Sequence, residues 1–511
     1  MPGQNEFIFN FGKALPESSF RSTPDSSMRI LVLGNFSGRP NRGVIDNSED
    51  LGSRSILTVD VDNFTAIMTR LAPNLSLQLG DAPETKISLT FRQIDDFHPD
   101  TLFKQLDLFH NLTQLRKRLQ NSESFEEAAA EFRQSIKMPV IEECKSAHTI
   151  VEENDAVTLE RLLGERPLNR AQAPDIKTKT IASEYIKNIV AEYIVPDVAP
   201  YKDIYLQAVD DAISATMRQL LHHPDFQALE AAWRSLNMLV TSLETGENLS
   251  LHLLDVTKDE LLTDLTSADG NLHSSKLYYL LVEQSIGTFG GEPWSLLVGN
   301  YTFTASAEDV TLLAALGVVS SHAGGPFIAA VDPKVLGCHS LVDTPDAHDW
   351  LEMKQEAAQR WQALRHSSSA QWLGLALPRL LTRLPYGHET EAVDGFQFEE
   401  KTLAQGHEDF LWGNPAFYCA LLIARSFTER GWSMQLGDYL EIDELPAYIF
   451  KQQGESMLQP CAEVCLSDKT MEKILNQGIM PFISHRSSNI VRLARFQSVA
   501  EPLKTLAGPW S

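Results

Sequence analysis

The first group that could hold a ligand is Gly34-Asn35-Phe36-Ser37-Gly38-Arg39, which follows an apolar run much as a phosphate loop would. A phosphate loop needs G-x-x-x-x-G-K-[ST], or G-x-G-x-x-G opening a helix. This segment lacks the lysine and the spacing, and neither motif occurs elsewhere. Asp95-Asp96-Phe97-His98-Pro99 sets two carboxylates beside an imidazole. Neighbours in a strand face opposite ways, so the two could not share a proton as a dyad must; a turn and helix cap before Pro99 is expected instead. His222-His223-Pro224 reads as a helix end, where histidine suits the negative dipole and proline stops the next turn. Glu399 and Glu400 follow Phe396-Gln397-Phe398. A carboxylate pair is what a glycosidase uses, but no substrate pocket is marked nearby, and Arg379 or Arg383 could take one in a structural ion pair. Cys461 and Cys465 stand four apart without the further ligands zinc requires. With Cys144, Cys338 and Cys419 they form an odd, scattered set, expected to be buried thiols rather than disulfides. No G-x-S-x-G or H-E-x-x-H occurs. The expectation is a non-enzyme with no cofactor and no metal.

Hydrophobic periodicity places the elements around these groups. Residues 28–36 read as a central strand buried on both faces. A strand over 56–61 follows, then a helix over 63–71 capped by Asp62 and ended by Pro73. Residues 76–79 and 86–91 alternate as strands. Leu102, Leu106, Phe109, Leu112, Leu115 and Leu119 share one stripe of a single helix over 100–120. Residues 121–200 are helical, charged and a boundary zone; one amphipathic piece, 156–165, carries Val157, Leu159, Leu162 and Leu163. Helices are expected over 202–221 and 225–243, the second with Phe226, Leu229, Trp233 and Leu236 on its core face. Strands at 251–256, 294–298, 327–331 and 373–376 then alternate with helices at 309–322, 347–365 and 412–430. The fold class is α/β (mixed α+β), with central mixed sheets flanked by helices.

Composition narrows the partners. Lys plus Arg number 43 against 68 for Asp plus Glu, a net charge of -25. Such a surface repels nucleic-acid phosphates and anionic lipid, and suits a basic partner face. The 43% apolar content is enough for a core. No signal peptide and no apolar stretch of membrane-spanning length is read, so the expected location is the cytoplasm. Phe7, Phe9 and Phe11 alternate in a short strand pattern, tethered by the Ser- and Pro-rich residues 13–27. That strand either packs on its own domain or is lent to a neighbouring subunit's sheet edge.

Residues 28–133 resemble the small sheath subunit, TssB, of the type VI secretion machine. The words that carry this are Ile30-Leu31-Val32-Leu33-Gly34-Asn35-Phe36-Ser37-Gly38-Arg39, Val61-Asp62-Asn63-Phe64, Phe91 through Asp100, and Leu115-Arg116-Lys117-Arg118-Leu119. Asn35 stands where the family carries Asp. Residues 155–504 resemble the large subunit, TssC, in His222 through Leu236, Gly287-Thr288-Phe289-Gly290-Gly291-Glu292-Pro293, Leu297 through Phe303, Arg383-Leu384-Pro385-Tyr386-Gly387, Leu411-Trp412-Gly413-Asn414 and Gln497-Ser498-Val499. Against the family, the resemblance implies two subunits, separate chains there, joined in one, and an expected lack of the C-terminal region that follows the last word in TssC.

The resemblance implies a contractile sheath protein that works through subunit interfaces and strand exchange. Its parts are a leading strand and leash (1–27), a TssB-like domain (28–140), a helical linker (141–200) and a TssC-like domain (201–511). It implies homo- or hetero-oligomers with type VI sheath subunits or baseplate proteins, with the inner tube protein and a ClpV-type AAA+ ATPase as further partners. Phe7, Phe9 and Phe11 would donate the exchanged strand; Leu159, Leu162 and Leu163 would form the ATPase handle. The alternative expectation is an accessory regulator, terminator or baseplate or cap adaptor that binds sheath subunits or the ATPase without forming a tube.

Overall fold

A seven-residue run that is apolar apart from Arg29, Met28–Gly34, forms β1 and lies in the interior of a nine-stranded sheet. The other strands are β2 (Leu57–Val59), β3 (Leu249–Asp255), β4 (Leu296–Phe303), β5 (Phe327–Val331), β6 (Leu373–Leu377), β7 (Glu441–Ile442), β8 (Ile479–Ser484) and β9 (Val491–Leu493). The spatial order is β7-β9-β8-β6-β5-β4-β1-β3-β2. The six strands from β8 to β3 run parallel, and β2, β9 and β7 add antiparallel pairs at the two edges. Parallel strands covered on both faces need continuous apolar runs; every residue of β5 and β6 is buried.

The computed structural model describes residues 26–43, 51–79, 86–121, 124–125, 127–129, 202–267, 271–287, 290–401, 406–452, 455–485 and 488–510. Phe7, Phe9 and Phe11, the segment bearing Leu159, Leu162 and Leu163, and Cys144 lie outside the described residues.

The helices are α1 (Phe64–Leu71), α2 (Pro99–Gln105), α3 (Asp107–Gln120), α4 (Lys202–Leu221), α5 (Pro224–Ser242), α6 (Lys258–Ser267), α7 (Ala307–Ala323), α8 (Gln355–Arg365), α9 (Pro415–Arg430) and α10 (Asp468–Asn476). The interleaved α/β class expected from the sequence is what the structure has. Three local expectations are corrected. The single helix over 100–120 is two, because Leu106 takes an extended conformation (φ -91°, ψ 123°) and precedes α3. The helix over 412–430 starts at Pro415, since Trp412–Gly413 pairs as a strand with Leu380–Leu381 and Asn414 caps the helix. The residue flanking α1 is Asn63, not Asp62; Asn63 and Asp60 exchange hydrogen bonds of 2.9 and 3.1 Å.

By contacts the chain divides into two compact units. One comprises the described residues of Met1–Leu77, Ile87–Leu102 and Arg218–Ser511; the other the described residues of Gln78–Lys86 and Phe103–Met217. Within the smaller unit, Arg116 on α3 grips Asp210 on α4 through two bonds of 2.5 and 3.0 Å. Within the larger, α7 is buried on nearly all sides, as its apolar circumference requires.

Candidate functional site: loops closed by internal ion pairs

The loop after β1 has the shape of an anion cradle, and an anion fills it. Asp255, the last residue of the adjacent β3, puts Oδ1 at 2.7 Å from the Phe36 amide and 3.2 Å from the Ser37 amide. Its Oδ2 accepts from Ser37 Oγ at 2.7 Å and from Arg39 Nη1 at 2.6 Å. Arg39 also reaches Glu260 at 3.2 Å, and Arg54 holds the same carboxylate at 2.6 Å. Burial alone would raise the Glu260 carboxyl, but Arg54, the Thr257 amide and Arg39 bring it down to about 2. The loop is shaped by Gly38, whose φ of +71° is left-handed and whose missing Cβ would lie 2.5 Å from the Asn74 carbonyl oxygen. Trp233 of α5 closes the other side: its Nε1 donates to the Phe36 carbonyl at 2.9 Å, and its ring meets Phe36 and Phe64 edge-on at 5.3 and 5.7 Å. Phosphate has no place in a cradle whose donors are committed to Asp255.

A second cluster joins the His222 and Arg383 motifs. The Arg383 guanidinium is buried and bonds Glu230 of α5 (Nε–Oε1 2.7 Å) and Glu400 (Nη1–Oε2 2.7 Å, Nη2–Oε1 3.0 Å). Its plane lies 4.2 Å from the centre of the Tyr386 ring. The Tyr386 amide donates to Glu400, and Arg234 bonds both Glu230 and the Tyr386 hydroxyl. His222 sits 3.5 Å from Glu400 and 3.3 Å from Asp409. Burial would raise the Glu400 carboxyl; Arg383, His222 and the Tyr386 amide pull it to about 2. Glu230 and Glu400 outweigh burial at Arg383 and hold it well above its ordinary value.

His407, Glu408 and Glu463 are the one group among the described residues whose ligand atoms all lie within 4.8 Å, as a metal would need. A cation is already there: Arg379 Nη2 stands 3.1 Å from Glu408 and 2.5 Å from Glu463. The remaining sequence candidates resolve structurally. Asp96 is buried and accepts from the Arg92 and Gln93 amides, while Asp95 is exposed. His223 caps α5, accepting from the Asp225 amide at 3.2 Å. Cys338, Cys419 and Cys461 are buried thiols, and Cys465 is half-buried.

The ion pair expected between Glu399 or Glu400 and Arg379 or Arg383 is thus Arg383–Glu400. Two partners escaped sequence reasoning, Asp255 and Glu230. The signals were there: Asp255 closes an apolar strand, and Glu230 stands one helical turn before Arg234 on a helix with a greasy face.

Residues 203–500, more than half of the chain, match the family described as EvpB/VC_A0108, tail sheath N-terminal domain (VipB). Residues 22–155 match the family described as type VI secretion system, VipA, VC_A0107 or Hcp2. The type VI secretion system sheath protein TssC1 of Pseudomonas aeruginosa is 33% identical over 303 residues, covering 58% of this chain and 61% of the relative's own length.

Proposed function

The chain belongs to the EvpB/VC_A0108 (VipB) tail sheath family, and from that premise we propose that it is a structural component of a type VI secretion sheath, with no catalytic step. The observation that carries the reading is the placement of β1. A strand from the part that matches VipA pairs with β3 on one side and β4 on the other, both from the part that matches VipB. Two subunit types that share one sheet form a building block with a fixed one-to-one ratio. The ionisable clusters support a structural role as well, because each is spent on an internal partner (Asp255 on the Phe36–Arg39 loop, Glu230 and Glu400 on Arg383, Glu408 and Glu463 on Arg379). Sheath function needs interfaces with different packing in two states rather than a reacting group.

The finer assignments belong to the same reading. The protein works in the cytoplasm, assembles with sheath subunits, and meets baseplate and inner-tube proteins. Among the described residues no helix is long and apolar enough to cross a membrane. Phe7, Phe9 and Phe11 are the donated strand. Leu159, Leu162 and Leu163 are the face offered to a ClpV-type ATPase. Deleting residues 1–12 tests the strand: co-purification of sheath subunits with the full chain should be lost in the deletion. Retention at the full-length level would remove the donor role.

A further inference from the structure

Outside these clusters lies a cleft of about 640 Å³ lined by Leu384-Pro385-Tyr386 and by Ala447-Tyr448-Ile449. The second of these segments leads into a hairpin, Ile449–Gln452 paired with Glu455–Leu458. Among the described residues this ribbon has no third strand. Two-stranded ribbons are marginal alone in water, and unpaired outer edges are templates for another strand. The ribbon is also greasy on both faces. Ile449 is 60% exposed and Met457 42%, while Phe450 and Leu458 are half-buried. Ile449 opposes Leu458 and Phe450 opposes Met457, so one exposed apolar side chain lies on each face. Tyr448 roots the ribbon, packing on Phe410 and Phe450 at 5.6 and 6.2 Å.

The charged side chains lining the cleft are two carboxylates and one lysine. Glu389 and Glu399 line it and are exposed. Burial, then Glu399 and Glu389, push the Tyr448 hydroxyl up, so both carboxylates act on the cleft. The lysine there, Lys401, is spent on Asp409 at 3.6 Å and on the Phe410 ring at 4.4 Å. His388 also lines the cleft, and its amide donates to Glu399. A second copy of a chain with net charge -25 is a poor occupant. Its own leading segment, residues 4–12, contains Glu6 and no lysine or arginine.

The geometry points to this cleft and ribbon as the docking site for an extended segment of a different protein, one that alternates apolar with Lys or Arg side chains and adds to the ribbon as a third strand. Main-chain bonds to the edge supply affinity, Met457 receives the apolar positions on one face of the added strand, and on the other face, where Ile449 lines the cleft, Glu389 and Glu399 select the cationic ones.

The test is fluorescence anisotropy on the full chain with labelled synthetic peptides. The probes are alternating Lys/Val, the same with Glu for Lys, the same with Ser for Val, and residues 4–12. The Lys/Val peptide should bind and the other three should bind at least about tenfold more weakly. Reversing the rim charges (Glu389→Lys with Glu399→Lys), or removing the exposed apolar pair (Ile449→Ser with Met457→Ser), should each cost the Lys/Val peptide about tenfold or more. A Glu308→Lys control on α7 should leave binding unchanged. Equal binding of the Glu/Val, Lys/Ser or 4–12 peptide, no binding of Lys/Val, or indifference to either pair of substitutions would overturn the assignment.

Discussion

Replacing Arg383 by methionine keeps most of the side-chain volume and removes a guanidinium that touches both Glu230 and Glu400. Those carboxylates are 0% and 1% exposed. Moving the Glu400 carboxyl from its ordinary 4.5 to about 2 corresponds to about 3 kcal/mol of folded-state stability, at about 1.4 kcal/mol per pH unit. That agrees with the cost of breaking a buried pair by removing one partner, about 3–5 kcal/mol. The sign of the pH dependence follows. Because the folded value is depressed, this contribution is complete above about 4.5 and is lost as pH falls toward 2. In Arg383→Met, burial dominates at Glu400 and pushes its carboxyl up, so the variant's deficit shrinks as acid protonates it. Urea unfolding followed by tryptophan fluorescence should show a deficit of about 3 kcal/mol at pH 7 and a clearly smaller one at pH 4. A deficit under about 1 kcal/mol at pH 7, or equal deficits at both pH values, would refute the reasoning.

Asp255→Ala removes the carboxylate that ties Phe36, Ser37 and Arg39 to β3. It should cost about 2–4 kcal/mol and speed hydrogen exchange at the Phe36 and Ser37 amides, with Asp255→Asn intermediate. Gly38→Ala meets both a left-handed φ and the Asn74 carbonyl, whereas Gly43→Ala, at φ +68°, meets open space. The first should lower thermal stability by about 2–3 kcal/mol and the second by about 1 kcal/mol; equal losses would mean the loop after β1 yields to the clash.

Much of the molecule was legible because its signals are local. The apolar runs at β1, β5 and β6 announce strands covered on both faces, and Phe226, Leu229, Trp233 and Leu236 mark the core face of α5. The sheet order was not legible. Met28 pairs with Leu249, more than two hundred residues away, and nothing in the period of either strand names the other. The break at Leu106 escaped for a related reason: its side chain is buried in either geometry, so one stripe of leucines fits one helix or two. The loop after β1 follows an apolar strand as a phosphate loop would, but lacks the lysine and the spacing of one. Its actual anion, Asp255, comes from a strand that only the fold brings near.

The sheath assignment itself is tested most directly by electron microscopy of the purified chain, alone and mixed with type VI sheath subunits. Tubes that incorporate the chain, in the mixture or on its own, are the predicted result. Sheath tubes that form to the same length and appearance with the chain left unbound in solution would contradict it.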